Sequence, residues 1–186
     1  MEFKELGLSG AWVFEEKIHQ DSRGSFQEWF RSDLIEEITG RAFPVVQANT
    51  SLSRKGVVRG IHFSTHPIGQ AKWVTCTAGA IRDVLVDLRP ESTTFKQWVS
   101  VDLSGEDAKA ILVPERFGHA FISLEENTKV SYLLTSAFAP EYEFAINPLD
   151  EEIAIAWPDM ELVLSEKDRS APSLAQSISR LGYPEH

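Results

Sequence analysis

Two basic side chains interrupt an apolar segment between Gly56 and Phe63. The segment reads Gly-Val-Val-Arg-Gly-Ile-His-Phe, a strand pattern except at Arg59 and His62. A cation buried without compensation is costly, so a cavity that binds an anion explains this placement better than a plain core does. The segment is therefore the first candidate for a binding or catalytic site.

The spacing of these two residues predicts an irregular strand. Arg59 and His62 are three positions apart, so strict alternation would place them on opposite faces. A bulge or bend at Gly60 would bring both to one face, and glycine within a strand often marks such an irregularity. We therefore predict a break in the strand ladder at Gly60.

Other polar segments have ordinary structural explanations when each is taken alone. Asp21–Phe30 is typical of a turn at Arg23-Gly24 followed by an exposed edge strand, and Leu164–Asp168 of a solvated turn with a helix cap. Tyr132 shares a strand face with two apolar residues, and a tyrosine in such a place usually packs in the core with its hydroxyl on a backbone partner. No single segment identifies a function.

The spacing of histidine and cysteine argues against a metal site. His62 and His66 are four residues apart, which aligns side chains on a helix and not on a strand, and Ser64 occupies the place of a second strand ligand. No carboxylate lies near enough in sequence to complete a ligand set. The single cysteine, Cys76, precludes an internal disulfide, and its strand position predicts a buried, inert thiol.

The composition is that of an acidic globular domain. The 186 residues carry 18 Lys and Arg against 28 Asp and Glu, a formal net charge of −10. This balance disfavours nucleic acid or an anionic membrane surface as a partner, although a few cations can still line one cleft. The chain starts without a signal-peptide pattern and lacks a run of about 18 apolar residues. We expect one cytoplasmic domain over residues 1–186.

Alternating patterns dominate the chain and predict an antiparallel β-sandwich or barrel with few helices. Turn residues separate the strand patterns at short intervals. Two short helices are expected, one capped by Ser32 or Asp33 and ended by Gly40, the other over Pro172–Leu181 and ended by Gly182. The predicted strands cover residues 45–51, 57–63, 72–77, 82–88, 97–103, 110–113, 120–124, 129–135 and 153–157.

Taken in order, these segments resemble the dTDP-4-dehydrorhamnose 3,5-epimerase family, which has the cupin fold. The similarity runs from Asp21 to Asp168. The resemblance implies an all-β, cupin-type jelly-roll barrel, usually dimeric, that acts on a dTDP-4-keto-6-deoxyhexose without a metal or redox cofactor. The most specific matches are Gly56–His62, Gln70–Lys72, Asp83–Arg89 and Gly118–Phe121, and Ile153–Pro158 and Leu164–Asp168 complete the similarity.

The resemblance also implies a mechanism. The 4-keto group acidifies the hydrogens on C3 and C5, and inversion needs a base on one face of the sugar and a proton donor on the other. By the family pattern His62 is the base, Asp168 orients it, and Tyr132 is the donor. Lys72 would face the developing enolate oxygen, where preorganised charge stabilises the transition state.

Substrate contacts are assigned in the same way. A guanidinium donates two parallel hydrogen bonds to a diphosphate, an aromatic ring packs on a ring, and carboxylate or amide groups bond base and sugar edges. The residues are Arg23 and Arg59 for the diphosphate, with Lys167 as a further phosphate candidate, Phe26 for the ring, Glu28, Gln47 and Asn49 for the base or sugar, and His119 in support of the reacting centre.

Phe138, which completes the set of substrate-binding candidates, departs from the family pattern. Many members have a second tyrosine six residues after the proton donor, and Phe138 has no hydroxyl to donate. The resemblance implies inversion at both C3 and C5; the alternative is inversion at C3 only or C5 only, as some members from actinomycete antibiotic-sugar pathways do. Asn147–Asp150 and Ser165–Ser173 resemble those members. Two further functions compete with these: a metal-dependent cupin enzyme, and a non-catalytic cupin that binds a sugar nucleotide.

A homodimer is expected from the resemblance and from Trp12–Phe14, an apolar segment that lacks an obvious partner strand within the chain. In such a dimer Arg23, Phe26 and Glu28 would reach the partner subunit's cleft.

Overall fold

A computed structural model describes residues 2–181, which form two six-stranded sheets, a separate hairpin and a few short helices. The strands are β1 (Glu2–Glu5), β2 (Trp12–Glu15), β3 (His19–Asp21), β4 (Gly24–Phe26), β5 (Gln47–Ser53), β6 (Val57–Ser64), β7 (Lys72–Ala78), β8 (Ala80–Asp87), β9 (Trp98–Ser104), β10 (Lys109–Val113), β11 (Phe117–Ser123), β12 (Thr128–Leu134), β13 (Glu143–Ala145) and β14 (Val163–Leu164). The helices are α1 (Ser32–Thr39), α2 (Glu166–Arg169) and α3 (Leu174–Leu181), with a 3-10 turn at Pro140–Tyr142.

The strand order places distant segments side by side. The first sheet has the order β1-β2-β10-β7-β12-β5, and the second has the order β13-β6-β11-β8-β9, with β14 added in parallel beside β6. β3 and β4 pair with each other as the hairpin. The remaining pairings that the structure describes are antiparallel, which confirms the predicted all-β, cupin-type fold.

Alternation along the strands divides the apolar side chains between the inside and outside of the barrel. Val74 and Cys76 of β7 pack with Leu85 of β8 in the core between the sheets. The intervening Trp73 points outward and packs against Ile35 of α1. At β7 the first sheet therefore buries both faces, because α1 covers the outer one.

The helices cover the outer faces of the sheets. α3 places Leu174 and Leu181 against Val84 and Val86 of the second sheet. It begins at Leu174, two residues after the predicted start, and its predicted terminator Gly182 lies outside the described residues. Within residues 2–181 no helix is both long and apolar enough to cross a membrane.

The predicted N-cap of α1 is wrong, whereas its predicted end is confirmed. Arg31 occupies the cap position and makes no side-chain cap bond. The Asp33 carboxylate instead pairs with the Arg31 guanidinium. Gly40 ends the helix with φ 70°, where its N–H donates to the carbonyl of Glu36, as expected of a glycine C-cap.

The predicted strand at 153–157 is also wrong. The segment contains a turn, and Ala154 has φ 50°. Its apolar residues are explained by packing, because Ile153, Ile155 and Trp157 contact the outer face of the second sheet. The indole N–H of Trp157 donates to the Pro148 carbonyl at 2.9 Å. The alternating pattern thus reflects one-sided burial without strand pairing.

Trp12–Phe14 does have partners within the chain, so it is not the exposed edge that the sequence suggested. β2 pairs with β1 on one side and with β10 on the other. The missed partner β1 carries alternating charges that conceal a strand pattern. Trp12–Phe14 therefore gives no support for a dimer.

Cys76 is buried as predicted. Its thiol donates to the Ala78 carbonyl at 3.3 Å. Burial raises the pKa of the thiol to about 11, so the sulfur stays protonated and unreactive at neutral pH.

The predicted irregularity at Gly60 is confirmed. His119 of β11 lies opposite His62 and Phe121 lies opposite Arg59, so three steps on β6 match two on β11. The extra residue leaves the ladder: the N–H and carbonyl of Ile61 pair instead with Ile146, at 3.1 and 2.9 Å. This bulge places Arg59 and His62 on the same side of the sheet.

Gly60 is required at the bulge by both conformation and space. Its φ is 127°, and a Cβ there would lie 2.4 Å from the Cβ of Ala120. Gly24, with φ 130°, has nothing within 4 Å of such an atom. We expect Gly60→Ala to destabilise the protein by about 1–3 kcal/mol more than Gly24→Ala, since only Gly60→Ala adds overpacking to backbone strain. Thermal melting of both variants measures this, and equal melting temperatures would contradict it.

Candidate active site

A cavity of about 150 Å³ lies between the two sheets. Residues from both sheets meet there, and they include the proposed base and the proposed proton donor. The first sheet contributes Ser51, Lys72 and Tyr132, and the second contributes Arg59, His62, His119 and Phe121. Five of the thirteen predicted site residues therefore line one space, although they come from four different strands.

His62 is bound to a buried carboxylate from the far end of the chain. Its Nε2 lies 2.7 Å from Oδ1 of Asp168, a residue that is 106 positions away in sequence and only 4% exposed. The His62 side chain itself is 36% exposed. An imidazole that is open on one side and held on the other by a carboxylate is well arranged to accept a proton.

The start of α2 holds Asp168 in place. The Ser165 side chain caps this helix, accepting from the Asp168 N–H at 3.1 Å and donating to Oδ2 of the carboxylate at 2.9 Å. Burial alone would raise the pKa of Asp168, but hydrogen bonds and charge from His62, Ser165 and Lys167 outweigh it and lower the pKa. Asp168 is therefore ionised at neutral pH, and the segment Leu164–Asp168, which taken alone is typical of a solvated turn, instead places this carboxylate in a buried contact with His62.

A second histidine–carboxylate pair lies beside the first. His119 Nε2 is 2.8 Å from Oδ2 of Asp83, and Asp83 is completely buried. Its other oxygen, Oδ1, has no hydrogen-bond partner among the described residues. Burial raises the pKa of Asp83, although His119 and Lys72 oppose this effect. Asp83 is thus a desolvated acid that contacts the cavity-lining residue His119.

Lys72 brings a partly dehydrated ammonium group to the same space. Burial lowers the pKa of Lys72, and the nearby carboxylates of Glu143 and Asp83 oppose that change. Glu143 also accepts a hydrogen bond from the buried Gln70 side chain at 3.0 Å. Within the Gln70–Lys72 motif, Lys72 therefore reaches the cavity and Gln70 holds the neighbouring carboxylate of Glu143.

The inward face of β5 forms a polar wall beside the cavity. Ser53 accepts a hydrogen bond from Arg59 Nε at 3.1 Å and so directs its guanidinium. Gln47 donates to Asn49 at 3.0 Å and accepts from the backbone N–H of Phe138 at 2.8 Å. Gln47, Asn49 and Phe138 are thus connected to one another, but they do not line the cavity.

Three predicted substrate contacts lie on or after the hairpin, away from the cavity lining. Arg23 pairs with Asp21 at 2.6 Å in an exposed contact. The Phe26 ring is 70% exposed, and Glu28 faces Arg31 at 3.5 Å. Every residue of β3 and β4 is exposed, and the two strands pair only with each other in the part of the chain described.

Several residues of this site were not predicted from the sequence. Ser51 and Phe121 line the cavity, while Asp83 and Glu143 act on Lys72 from nearby strands. Asp83 carried a detectable signal, because it is a charge within an apolar strand, the feature that identified His62. Glu143 carried none, because its short strand has no clear alternation.

A larger cavity of about 770 Å³ is located elsewhere, next to α1 and residues 112–116. It contains none of the predicted site residues, and its charged groups include the pairs Arg41–Glu115, at 3.7 Å, and Arg116–Glu91. Residues 2–181 contain no group of three or more His, Cys, Asp or Glu side chains that could hold a metal ion.

Comparisons with known proteins give a consistent result. A family model described as dTDP-4-dehydrorhamnose 3,5-epimerase matches residues 5–176. The chain is 44% identical to the enzyme of that name from Mycolicibacterium smegmatis, over 95% of this chain and 88% of the relative. It is 43% identical to a dTDP-4-dehydro-6-deoxyglucose 3-epimerase from Streptomyces bikiniensis, over 95% of this chain and 90% of the relative.

A solved structure extends the similarity to three dimensions. The Legionella pneumophila dTDP-6-deoxy-D-glucose-3,5-epimerase RmlC, in complex with dTDP-4-keto-L-rhamnose, superposes with a TM-score of 0.93 at 38% identity. The match covers 100% of this chain and 98% of that one.

Two buried aspartates of β8 predict opposite pH dependences of stability. Burial raises the pKa of Asp83, whereas Arg89, Ser92 and Thr94 overcome the effect of burial on Asp87 and lower its pKa to about 2. Raising the pH above 3.8 therefore lowers the stability of wild type relative to that of Asp83→Asn. Relative to Asp87→Asn, the free energy of unfolding of wild type rises by roughly 2 kcal/mol as the pH increases from 2 to 4, and the difference persists at higher pH.

Thermal melting of wild type and both variants from about pH 2 to neutral pH measures the two differences. Each variant serves as the control for the other, because both remove one buried carboxylate from the same strand. Parallel pH dependences for the two variants would contradict the assignment.

Proposed function

The chain belongs to the dTDP-4-dehydrorhamnose 3,5-epimerase family and is an epimerase, and we propose that it inverts C3 and C5 of a dTDP-4-keto-6-deoxyhexose. The main observation behind this proposal is that His62 and Tyr132, which come from facing sheets, line one cavity together with Lys72. The 4-keto group makes this placement useful, because a carbanion at C3 or C5 is delocalised onto the keto oxygen.

His62 is the base in this proposal. Its Nε2–H donates to Asp168, which leaves Nδ1 to accept the proton from the sugar. The low pKa of Asp168 keeps that carboxylate ionised, so it stabilises the imidazolium that forms. The hydrogen bond from Ser165 to the buried Asp168 carboxylate helps the ring to hold one orientation through the reaction.

Tyr132 returns a proton from the opposite face, which inverts the centre. No hydrogen bond to its hydroxyl is found among the described residues, and the residue lines the cavity, so the O–H is available to the sugar. Lys72 stabilises the enolate oxygen, and its partial dehydration strengthens that interaction. These three residues supply base, acid and counter-charge without a metal ion.

The nucleotide is held by groups around the cavity mouth. Arg59, directed by Ser53, binds the diphosphate. Gln47 and Asn49 bond the base or sugar, Lys167 adds positive charge beside Asp168, and His119 supports the reacting centre.

The remaining contacts require a second subunit. Arg23, Phe26 and Glu28 are not part of the cavity lining of their own chain, and Arg23 and Phe26 lie on an exposed hairpin. We propose a homodimer in which this hairpin completes the partner subunit's cleft. The exposed Phe26 ring then gains an apolar contact, on the nucleotide base or the partner surface.

Deuterium exchange tests the roles of His62 and Tyr132. In heavy water with EDTA, wild type should introduce deuterium into dTDP-4-keto-6-deoxyglucose. His62→Asn should slow exchange by about 10²- to 10⁴-fold, because general-base catalysis is lost. Tyr132→Phe should keep exchange but lose inversion, because the proton then returns only from the His62 face. Proton NMR follows both events.

His66→Asn is the matched control, because His66 lies in the loop after β6 and outside the cavity lining. Exchange at the wild-type rate in His62→Asn would eliminate His62 as the base. If folded wild type binds dTDP but catalyses no deuterium exchange, a non-catalytic protein is favoured. Loss of activity in EDTA would favour a metal-dependent enzyme.

Inversion at a single carbon is the second candidate reaction. It is supported by Phe138, which lacks a hydroxyl and is 58% exposed beside Gln47. The similarity to a relative named as a 3-epimerase is consistent with it.

Phe138→Tyr tests this second candidate. A restored hydroxyl should raise exchange at the slower of the two carbons, relative to the faster, by about 3- to 10-fold, the size of one hydrogen bond. Phe138→Leu, which adds no hydroxyl, should leave the ratio unchanged. Separate integration of the C3 and C5 signals gives the ratio, and an equal ratio in all three proteins would remove Phe138 from the explanation.

A further inference from the structure

Ser51 is an exception among the inward-facing polar residues of β5. Gln47 and Asn49 bond each other, and Ser53 bonds Arg59. The Ser51 hydroxyl oxygen is buried, yet it has no hydrogen-bond partner among the described residues. A buried polar group without a partner is destabilising, and native structures contain few of them.

Its position connects two parts of the proposed site. Ser51 lies opposite Val130, one inward step along β5 from the pair that Asn49 forms with Tyr132. One inward step in the other direction is Ser53, the partner of Arg59. Ser51 also lines the cavity that contains His62. It therefore stands between the proton-transfer site and the group that binds the diphosphate.

The chemistry of a serine hydroxyl suits this place. Because Ser51 makes no hydrogen bond to the described residues of the free protein, its side chain can turn between staggered rotamers toward the cavity without breaking one. A hydroxyl both donates and accepts, which matches a sugar hydroxyl, whereas a phosphoryl oxygen uses only a donor. Arg59 already supplies donors for phosphate.

We propose that Ser51 is a specificity-determining residue whose hydroxyl bonds a ring hydroxyl of the hexose. This inference rests on the proposed function, since it concerns the same substrate. It explains why an uncompensated polar group is kept at a site where alanine would be more stable in the free protein.

The test compares nucleotides with and without a sugar. Isothermal titration measures binding of dTDP and of dTDP-glucose, which has ring hydroxyls but no keto group and so cannot react. Ser51→Ala should weaken dTDP-glucose binding by about 3- to 10-fold and leave dTDP binding unchanged. The free variant should melt at the wild-type temperature or above it.

Thr50→Ala is the matched control on the same strand, because Thr50 faces outward and contacts Ser131 at 2.9 Å. It should bind both nucleotides like wild type.

Three results would overturn the inference. Equal weakening of both nucleotides would place the contact on the dTDP group that they share. Unchanged binding of both would remove the contact, and a lower melting temperature with unchanged binding would make Ser51 structural. If wild type itself binds neither nucleotide, the proposed function fails as well. If wild type binds both and the variant does not differ from it, only the role of Ser51 fails.

Discussion

The extra residue that β6 carries at Gly60 and Ile61 decides which side chains reach the space between the sheets. A regular strand would turn either Arg59 or His62 outward, because side chains alternate with a period of two. The bulge shifts the phase by one residue, and the pairing of Ile61 with Ile146 stabilises the shifted backbone. The proposed base His62 and the proposed diphosphate-binding residue Arg59 therefore share one cavity as a consequence of backbone geometry.

Charge around the cavity is costly to the fold and useful to the reaction. Asp87 shows how this fold satisfies a buried carboxylate, because Arg89, Ser92 and Thr94 bond it fully. Asp83, on the same strand, has one oxygen bonded to His119 and the other without a described partner. Among the described residues, the groups that favour its charged form are His119 and Lys72, and both line the cavity. Such incomplete satisfaction is expected where an enzyme holds charge ready for a ligand.

Sequence patterns succeeded where one-sided burial coincided with strand pairing and failed where the two were separate. Val84 and Val86 alternate and do lie in a strand. Ile153 and Trp157 alternate just as clearly, but they pack as a loop on the second sheet. β1 is a strand without an apolar pattern, because it forms an exposed edge of the first sheet. For the same reason the partner of Trp12–Phe14 could not be identified from sequence.

The sequence by itself determined the all-β class and the break at Gly60, because these depend on local periodicity and residue type. The residues of the proposed chemistry, including the pairing of Asp168 with His62, were assigned through a family resemblance. Only the tertiary structure decided that Asp83 bonds His119, that Glu143 lies near Lys72, and that Ser51 has no described partner while Ser53 has one. These facts concern contacts between strands far apart in the chain, and local sequence contains no information on which atoms such strands bring together.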